Sequence, residues 1–298
     1  MIEKSEISVI VQGAVSSDLT KTCLNSVRKE LPGAEIILST WEGSDVSNLN
    51  YDQVLFNKDP GGFTDKRVPW FTNNCSRMIL SSKNGCLAAG NPYILKIRTD
   101  VEMLSADFLK HYNDLPRRSE EYFFFNHRLL CSSYFFKKYA DSPEMKSMPT
   151  PFHIGDWFQF GLSEDMKKLY NIPLPKEPDF TDYFLTHPYH SVRQNLFAPC
   201  HRLTPEQYLL LTALQKDFPE LKMETVADYN TENIIQYEKI VANNFIILDP
   251  HKWNIRPLKS PYSDWYDKDE LPKTLVRGLF DEEMLLKDYK KYIIGEQK

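Results

Sequence analysis

The stretch that decides the fold is "YILKIRTDVEML", residues 93–104. Tyr93, Ile94, Leu95 and Ile97 read as sheet interior, yet the run carries Lys96 and ends in Arg98, Thr99, Asp100 and Glu102. Side chains alternate along a strand, so Lys96, Arg98 and Asp100 are expected on one face and Ile97 and Thr99 on the other. In an open α/β sheet, ligands bind outside the carboxyl ends of the strands. Cations and carboxylates together at such an end call for a ligand that uses both signs of charge.

Upstream, "ISVIVQGAV" (7–15) is an apolar, β-branched strand ended by a glycine turn. A helix follows, with Leu19, Cys23, Leu24, Val27 and Leu31 at helical spacing and a stop at Pro32-Gly33. "EIILSTW" (35–41) and "DQVLFNKD" (52–59) are further strands, and "NNCSRMILSSKNGCLAAG" (73–90) is a helix that feeds the strand at 93–98. Strands alternating with helices imply an α/β fold: a Rossmann-type, mainly parallel sheet with helices on both faces.

Downstream, "EYFFFNHRLLCSSYFFKKY" (121–139) reads as a strand and then a helix, and "PFHIGDWFQFGLSEDMKKLYN" (151–171) as a second strand-to-helix step. "IPLPKEPDF" (172–180) is an irregular loop. Thr204, Pro205 and Gln207 form a helix start with a capping box, "NFIILDP" (244–250) is a late strand, and the tail is an amphipathic helix. Without a clean linker, the expectation is one domain over 1–298, with a nucleotide-side half (1–104) and an irregular acceptor-side half (105–298).

A net charge of −5 argues against a general nucleic-acid binder. Five cysteines without a CxxC pair fit reduced thiols. There is no signal-peptide pattern and no run of about 20 apolar residues, so a cytoplasmic protein is expected.

The usual phosphate cradles are missing. The first turn, Gln12-Gly13-Ala14-Val15-Ser16, forms neither GxxxxGK[ST] nor GxGxxG. A divalent cation is another way to hold a diphosphate, because Mg²⁺ or Mn²⁺ takes a few carboxylates together with phosphate oxygens. Asp100 and Glu102 offer carboxylates, while Lys96, Arg98 and Arg77 can neutralise phosphate charge. A metal there would stabilise a departing diphosphate as its bond to a sugar breaks, which is nucleotide-sugar glycosyl transfer. Inverting transfer also needs a carboxylate base. The candidates are Asp156, flanked by aromatics suited to a sugar, and Glu206 in a helix first turn, followed by Glu164, Asp165 and Asp182.

The segments 7–15, 23–62, 73–104 and "HIGDWFQFGL" together resemble the WavE lipopolysaccharide-synthesis family, whose N-terminal order resembles GT-A glycosyltransferases. The resemblance implies that Val11, Gln12 and Gly13 hold the nucleoside with Thr40, Trp41 and Glu42, helped by Asp45. It implies that Asn74 and Arg77 approach the nucleotide and its sugar. Arg98-Thr99-Asp100 takes the place of a DxD motif, with Arg98 in the first acid's position, so Asp100 is the metal-binding member and Arg98 a direct phosphate ligand. His251 in "LDPHKW" is the implied late metal ligand, and Glu206 the implied base. The implied donor is a nucleotide sugar. The implied acceptor is a lipid-linked glycan of a bacterial surface polysaccharide, with peripheral contact to the inner membrane. The alternatives are a non-catalytic glycan- or nucleotide-binding subunit and a CDP-alcohol phosphotransferase.

Overall fold

The computed structural model describes residues 2–64, 72–139, 149–187, 202–226, 228, 230–249, 252, 254–267 and 278–296. In chain order the strands are β1 (Ile7–Gln12), β2 (Glu35–Trp41), β3 (Gln53–Asn57), β4 (Phe63–Thr64), β5 (Thr72–Asn73), β6 (Tyr93–Arg98), β7 (Val101–Met103), β8 (Leu129–Ser132), β9 (Phe158–Leu162), β10 (Phe245–Leu248) and β11 (Ile255–Pro257). Seven of them form the central sheet, in the order β10-β8-β9-β6-β1-β2-β3. β6, β1, β2 and β3 run parallel, as the alternation of strands and helices required. β9 runs antiparallel between β6 and β8. The sheet therefore draws strands from both halves of the chain.

Among the described residues, two α-helices serve the nucleotide-side half. Helix α1 (Ser17–Glu30) buries Cys23, Leu24 and Val27, and Leu31 is buried just past its end, as the spacing predicted. Helix α2 (Cys75–Ala88) packs on β1 and β2. It lies close to the sheet because Gly85 faces Ile10: a Cβ at Gly85 would stand 2.3 Å from Ile10 Cγ2. That close approach brings Asn74 and Arg77, at the start of α2, to the strand ends.

The antiparallel run of β9 matters for the site. Phe158 pairs with Ile97 and Leu162 with Tyr93, so β9 starts where β6 finishes. The residues just before β9, Gly155-Asp156-Trp157, are thereby delivered to the carboxyl edge of the parallel strands. A smaller pairing of β11 (Ile255–Pro257) with β7 (Val101–Met103) brings the chain after residue 257 to the same edge. There the Leu258 amide donates to the Asp100 carbonyl at 2.9 Å.

The expected strand-then-helix at 121–139 is corrected. Residues 121–128 form turns, β8 follows, and no helix comes after it through 139. Asn244, buried at the end of the helix Thr231–Asn244, takes the place of regular pairing. Its Oδ1 accepts from the Phe124 and Phe125 amides at 3.0 and 3.2 Å, and its Nδ2 donates to the Tyr122 carbonyl at 2.7 Å. Asp165 likewise accepts from the Asn126 and His127 amides at 2.8 and 2.9 Å. Beyond β8, Phe135 has φ +56°, which breaks a helix, and Tyr134 and Phe136 are fully buried.

The other expected elements are present. The helix Ser163–Tyr170 follows β9, and Pro205–Leu214 starts with the Thr204–Gln207 capping box. The tail helix Glu282–Tyr289 continues as a π-helical turn to Ile294. Among the described residues, no helix is long and apolar enough to cross a membrane.

Candidate functional site

A cleft of about 680 Å³ runs along the carboxyl edge of the sheet. Its lining follows the strand order. Asp156 precedes β9; Arg98 ends β6, with Thr99 and Asp100 just past it; Gln12 ends β1, with Gly13 and Ser16 after it; Trp41 ends β2. Asp59, Asn74, Arg77 and Lys259 complete its polar wall, with Val15, Leu19 and Met78 as apolar patches. Adjacent strands lie about 4.8 Å apart, so β9 and β2 are three strand spacings, roughly 14 Å, apart across the cleft.

The turn after β1 admits only a glycine at position 13. Gly13 has φ +126°, and a Cβ there would lie 3.1 Å from Thr99 Oγ1. Thr99 Oγ1 in turn donates to the Ala14 carbonyl at 2.8 Å, fixing the β1 and β6 turns to each other. Gln12 is held by Ser81 of α2, whose hydroxyl donates to Gln12 Oε1 at 2.7 Å.

Each arginine in the cleft is held by a carboxylate fork. Arg98 donates from Nε and Nη2 to the two Asp100 oxygens at 2.8 and 2.7 Å, and its guanidinium lies 4.6 Å from the centre of the Trp157 ring. Burial works against the Asp100 charge, but the hydrogen bonds and charge of Arg98 outweigh it and hold that carboxyl below its usual range. Arg77 grips Asp59 in the same way, at 2.8 and 2.7 Å, and also donates to Asn74 Oδ1 at 2.8 Å. These pairings fix the guanidinium planes before any ligand arrives.

Asp156 is held differently. The Lys96 ammonium, fully buried beneath the cleft, bonds the Asp156 backbone carbonyl and stands 3.4 Å from Oδ2. Glu206 is near enough to Asp156 for the two carboxylates to repel. Burial first, and that repulsion second, raise Glu206 to about 8. Its Oε2 lies 3.5 Å from His153 Nε2.

Of the residues expected at the site, Gln12, Gly13, Trp41, Asn74, Arg77, Arg98, Asp100 and Asp156 line the cleft. The others do not, each for a physical reason. Val11 is core, and Thr40 is buried with its hydroxyl 3.2 Å from Ser44 Oγ. Glu42 lies past the strand end with its side chain in solvent, and Asp45 is exposed and bonded to Ser47. Lys96 is on the expected face but sealed, so it contacts no phosphate. Glu102 pairs with Arg256 at 3.5 Å, and Glu206 sits outside the cleft lining. Glu164 and Asp165 bond the 126–127 turn. His251 lies outside the described residues. The aromatics flanking Asp156 are core, with Trp157 only 4% exposed, so they offer no sugar platform; Trp157 serves as a shelf for Arg98.

Sequence reasoning missed Asp59 and Lys259. Asp59 carried a usable signal, an acid in the turn Asp59-Pro60-Gly61 just after a strand. Lys259 had none, since only the β7–β11 pairing carries it to the site.

The donor set suits a divalent ion in a limited way. Among the described residues, no group of three His, Cys, Asp or Glu side chains is placed to hold one. Asp100 supplies one carboxylate, now engaged by Arg98, and Mg²⁺ or Mn²⁺ completes such a site with phosphate oxygens and water. The described charges of the cleft also balance, Arg77, Arg98 and Lys259 against Asp59, Asp100 and Asp156. A diphosphate would bring uncompensated negative charge.

Comparison with known proteins places the chain in context. The family profile described as WavE lipopolysaccharide synthesis matches residues 7–268. No curated protein matches the sequence. Among solved structures, the chain is similar to the catalytic domain of Drosophila beta1,4-galactosyltransferase 7 in complex with xylobiose. The identity is 11%, with 57% of this chain and 54% of that one covered, at a TM-score of 0.31. A mutant of the same enzyme, in complex with manganese, UDP-Gal and xylobiose, gives 14% identity, 55% and 51% coverage and a TM-score of 0.28. The chain thus spans about half the length of these solved structures.

Proposed function

Starting from the WavE lipopolysaccharide synthesis family, to which this chain belongs, we propose a GT-A-like glycosyltransferase that moves a sugar from a nucleotide-sugar donor to a growing surface glycan. Residues 1–104 take the nucleotide, and 105–298 supply the base and the acceptor side. The acceptor is a lipid-linked glycan of a bacterial surface polysaccharide, worked on from the cytoplasmic side in peripheral contact with the inner membrane.

The order of groups along the cleft supports this. Trp41, half-buried at one end, suits the base, and Gly13 allows close backbone approach to the ribose or phosphate. Arg98, Arg77 and Lys259 meet the diphosphate. Asp156 stands at the far end, where the sugar would lie.

In the transfer step, Asp156 takes the proton of the acceptor hydroxyl as that oxygen forms its bond to the anomeric carbon. The bond from that carbon to the diphosphate oxygen breaks, and the electron pair leaves with the diphosphate, whose charge Arg98 stabilises. The anomeric centre inverts. A divalent ion bound at Asp100 would add positive charge to the leaving group.

One observation carries the assignment of the base. Asp59 and Asp100 are each gripped by an arginine fork, and Asp156 is the described cleft carboxylate left outside such a grip. The test is a thermal-shift panel of UDP-, GDP-, dTDP- and CMP-sugars with and without Mn²⁺, followed by turnover of the donor that stabilises the protein. Asp156→Asn should abolish turnover while the donor still binds. Retained turnover overturns the assignment.

A further inference from the structure

Lys96 lies in the middle of a strand buried on both faces, a position that favours an apolar side chain. It is 0% exposed, and its register partners are Ile10 on β1 and Gln159 on β9. Its ammonium meets the backbone carbonyl of Asp156 and lies 3.4 Å from the Asp156 carboxylate. Its neighbour across the ladder does a parallel job. Gln159 Nε2 donates to the Gly155 carbonyl at 2.8 Å, and the Gln159 amide is itself fixed by the Tyr170 hydroxyl at 2.6 Å. Two buried polar side chains, side by side in the sheet, thus hold the two consecutive carbonyls of Gly155 and Asp156. The backbone is also tight there, because a Cβ at Gly155 would stand 2.4 Å from the Tyr134 carbonyl oxygen.

Burial of an ion pair is a poor way to stabilise a protein. An apolar pair of similar volume does as well or better. A lysine kept in the sheet interior, paired with the Asp156 carboxylate that opens on the cleft, fits a functional role better.

We infer that Lys96 is a positioning residue for the proposed base: it fixes the Gly155-Asp156 segment from beneath the sheet and sets a positive charge beside the Asp156 carboxylate that faces the acceptor hydroxyl. The inference presupposes the glycosyl transfer proposed above. Above about pH 8, where Glu206 at the start of its helix gives up its proton, its carboxylate repels Asp156. Among the described residues, other titratable groups around Asp156 are Arg98 on β6, Cys75 on α2 and Tyr170 on the helix after β9, with Lys259 on the same cleft. Burial pulls the Lys96 ammonium down from its usual range, and Asp156 works in the opposite direction.

The test compares pH profiles of kcat/KM for the native chain and Lys96→Met, using the donor turned over in the nucleotide-sugar panel. The acid limb should move up by about one pH unit or more, so that Lys96→Met is about tenfold or more slower at pH values below the native limb and recovers toward the native rate at pH 9. A uniform loss at every pH, or no loss, overturns the inference. Urea unfolding of Lys96→Met, Asp156→Asn and the double variant covers a folding failure. If the single lysine variant unfolds and the double one folds, charge compensation is supported; if both unfold, Lys96 is a packing element and the inference falls. Full activity of Asp156→Asn, or no turnover of any donor, defeats the glycosyl-transfer proposal itself. A dead Asp156→Asn beside an unchanged Lys96→Met profile defeats only the role of Lys96.

Discussion

Replacing Arg98 by methionine separates two effects that the structure ties together. Arg98 donates two hydrogen bonds to Asp100 and rests on Trp157, and its side chain is 30% exposed in the cleft. If it meets the diphosphate, its loss removes charged hydrogen bonds worth about 1.5–3 kcal/mol. It also leaves Asp100 without its cation, and an unpaired carboxylate about 4 Å from a phosphate in water costs a further ~1 kcal/mol. The sum, about 2.5–4 kcal/mol, is a loss in affinity of roughly 60- to 700-fold, at about 1.4 kcal/mol per tenfold. The assay is calorimetric titration of nucleoside diphosphates in EDTA buffer. Adding Asp100→Asn removes the repulsion, so Arg98→Met/Asp100→Asn should bind about fivefold tighter than Arg98→Met alone. With Mn²⁺ present, Arg98→Met should gain more affinity than the native protein, because its Asp100 oxygens are free for the ion. Unchanged diphosphate affinity in Arg98→Met, or a double variant no better than the single one, would refute the placement of the diphosphate.

Glu206 makes the stability depend on pH. Its carboxyl keeps a proton in the native state up to about pH 8, whereas an unfolded glutamate releases it near ~4.3. The native state binds more protons in that window, so this group's contribution to stability falls as pH rises from about 4.3 to 8. Glu206→Gln should therefore raise the urea midpoint over the native protein at pH 9, and the difference should shrink at pH 5. Gly155→Ala places a Cβ 2.4 Å from the Tyr134 carbonyl oxygen, which belongs to backbone and cannot swing away. A loss of about 1–3 kcal/mol in urea unfolding is expected, together with a fall in turnover as Asp156 shifts. Lys259 is exposed, so Lys259→Ala should weaken nucleoside diphosphate binding by only a few-fold, consistent with ~0.2–1 kcal/mol for a solvated charge, and leave the melting temperature unchanged.

The nucleotide-side half was legible because its elements are fixed by local signals. The β-branched run at 7–12, the glycine after it, and the helical spacing of Cys23, Leu24 and Val27 each encode one element. Parallel strands joined by helices then leave few topologies. Arg98, Asp100 and Arg77 could be placed at a strand end or helix start from sequence for the same reason. The Phe-rich stretch at 121–139 was misread because its backbone is satisfied by Asn244 and Asp165, far away in the chain. Periodicity carries no trace of such partners.

The sequence by itself determined an α/β sheet with charged residues at the carboxyl end of β6, since strand period, turn residues and helix caps are properties of neighbouring residues. The tertiary structure alone decided which of those charges face the cleft. Lys96 and Arg98 share a face of one strand, yet the antiparallel start of β9 covers the first with the Gly155-Asp156 segment and leaves the second at the edge. The same pairing presents Asp156, and the β7–β11 pairing adds Lys259, while Glu206 on its own helix stays outside the cleft lining. Burial is set by what packs on top, and that comes from residues about 60 or more positions away in the chain.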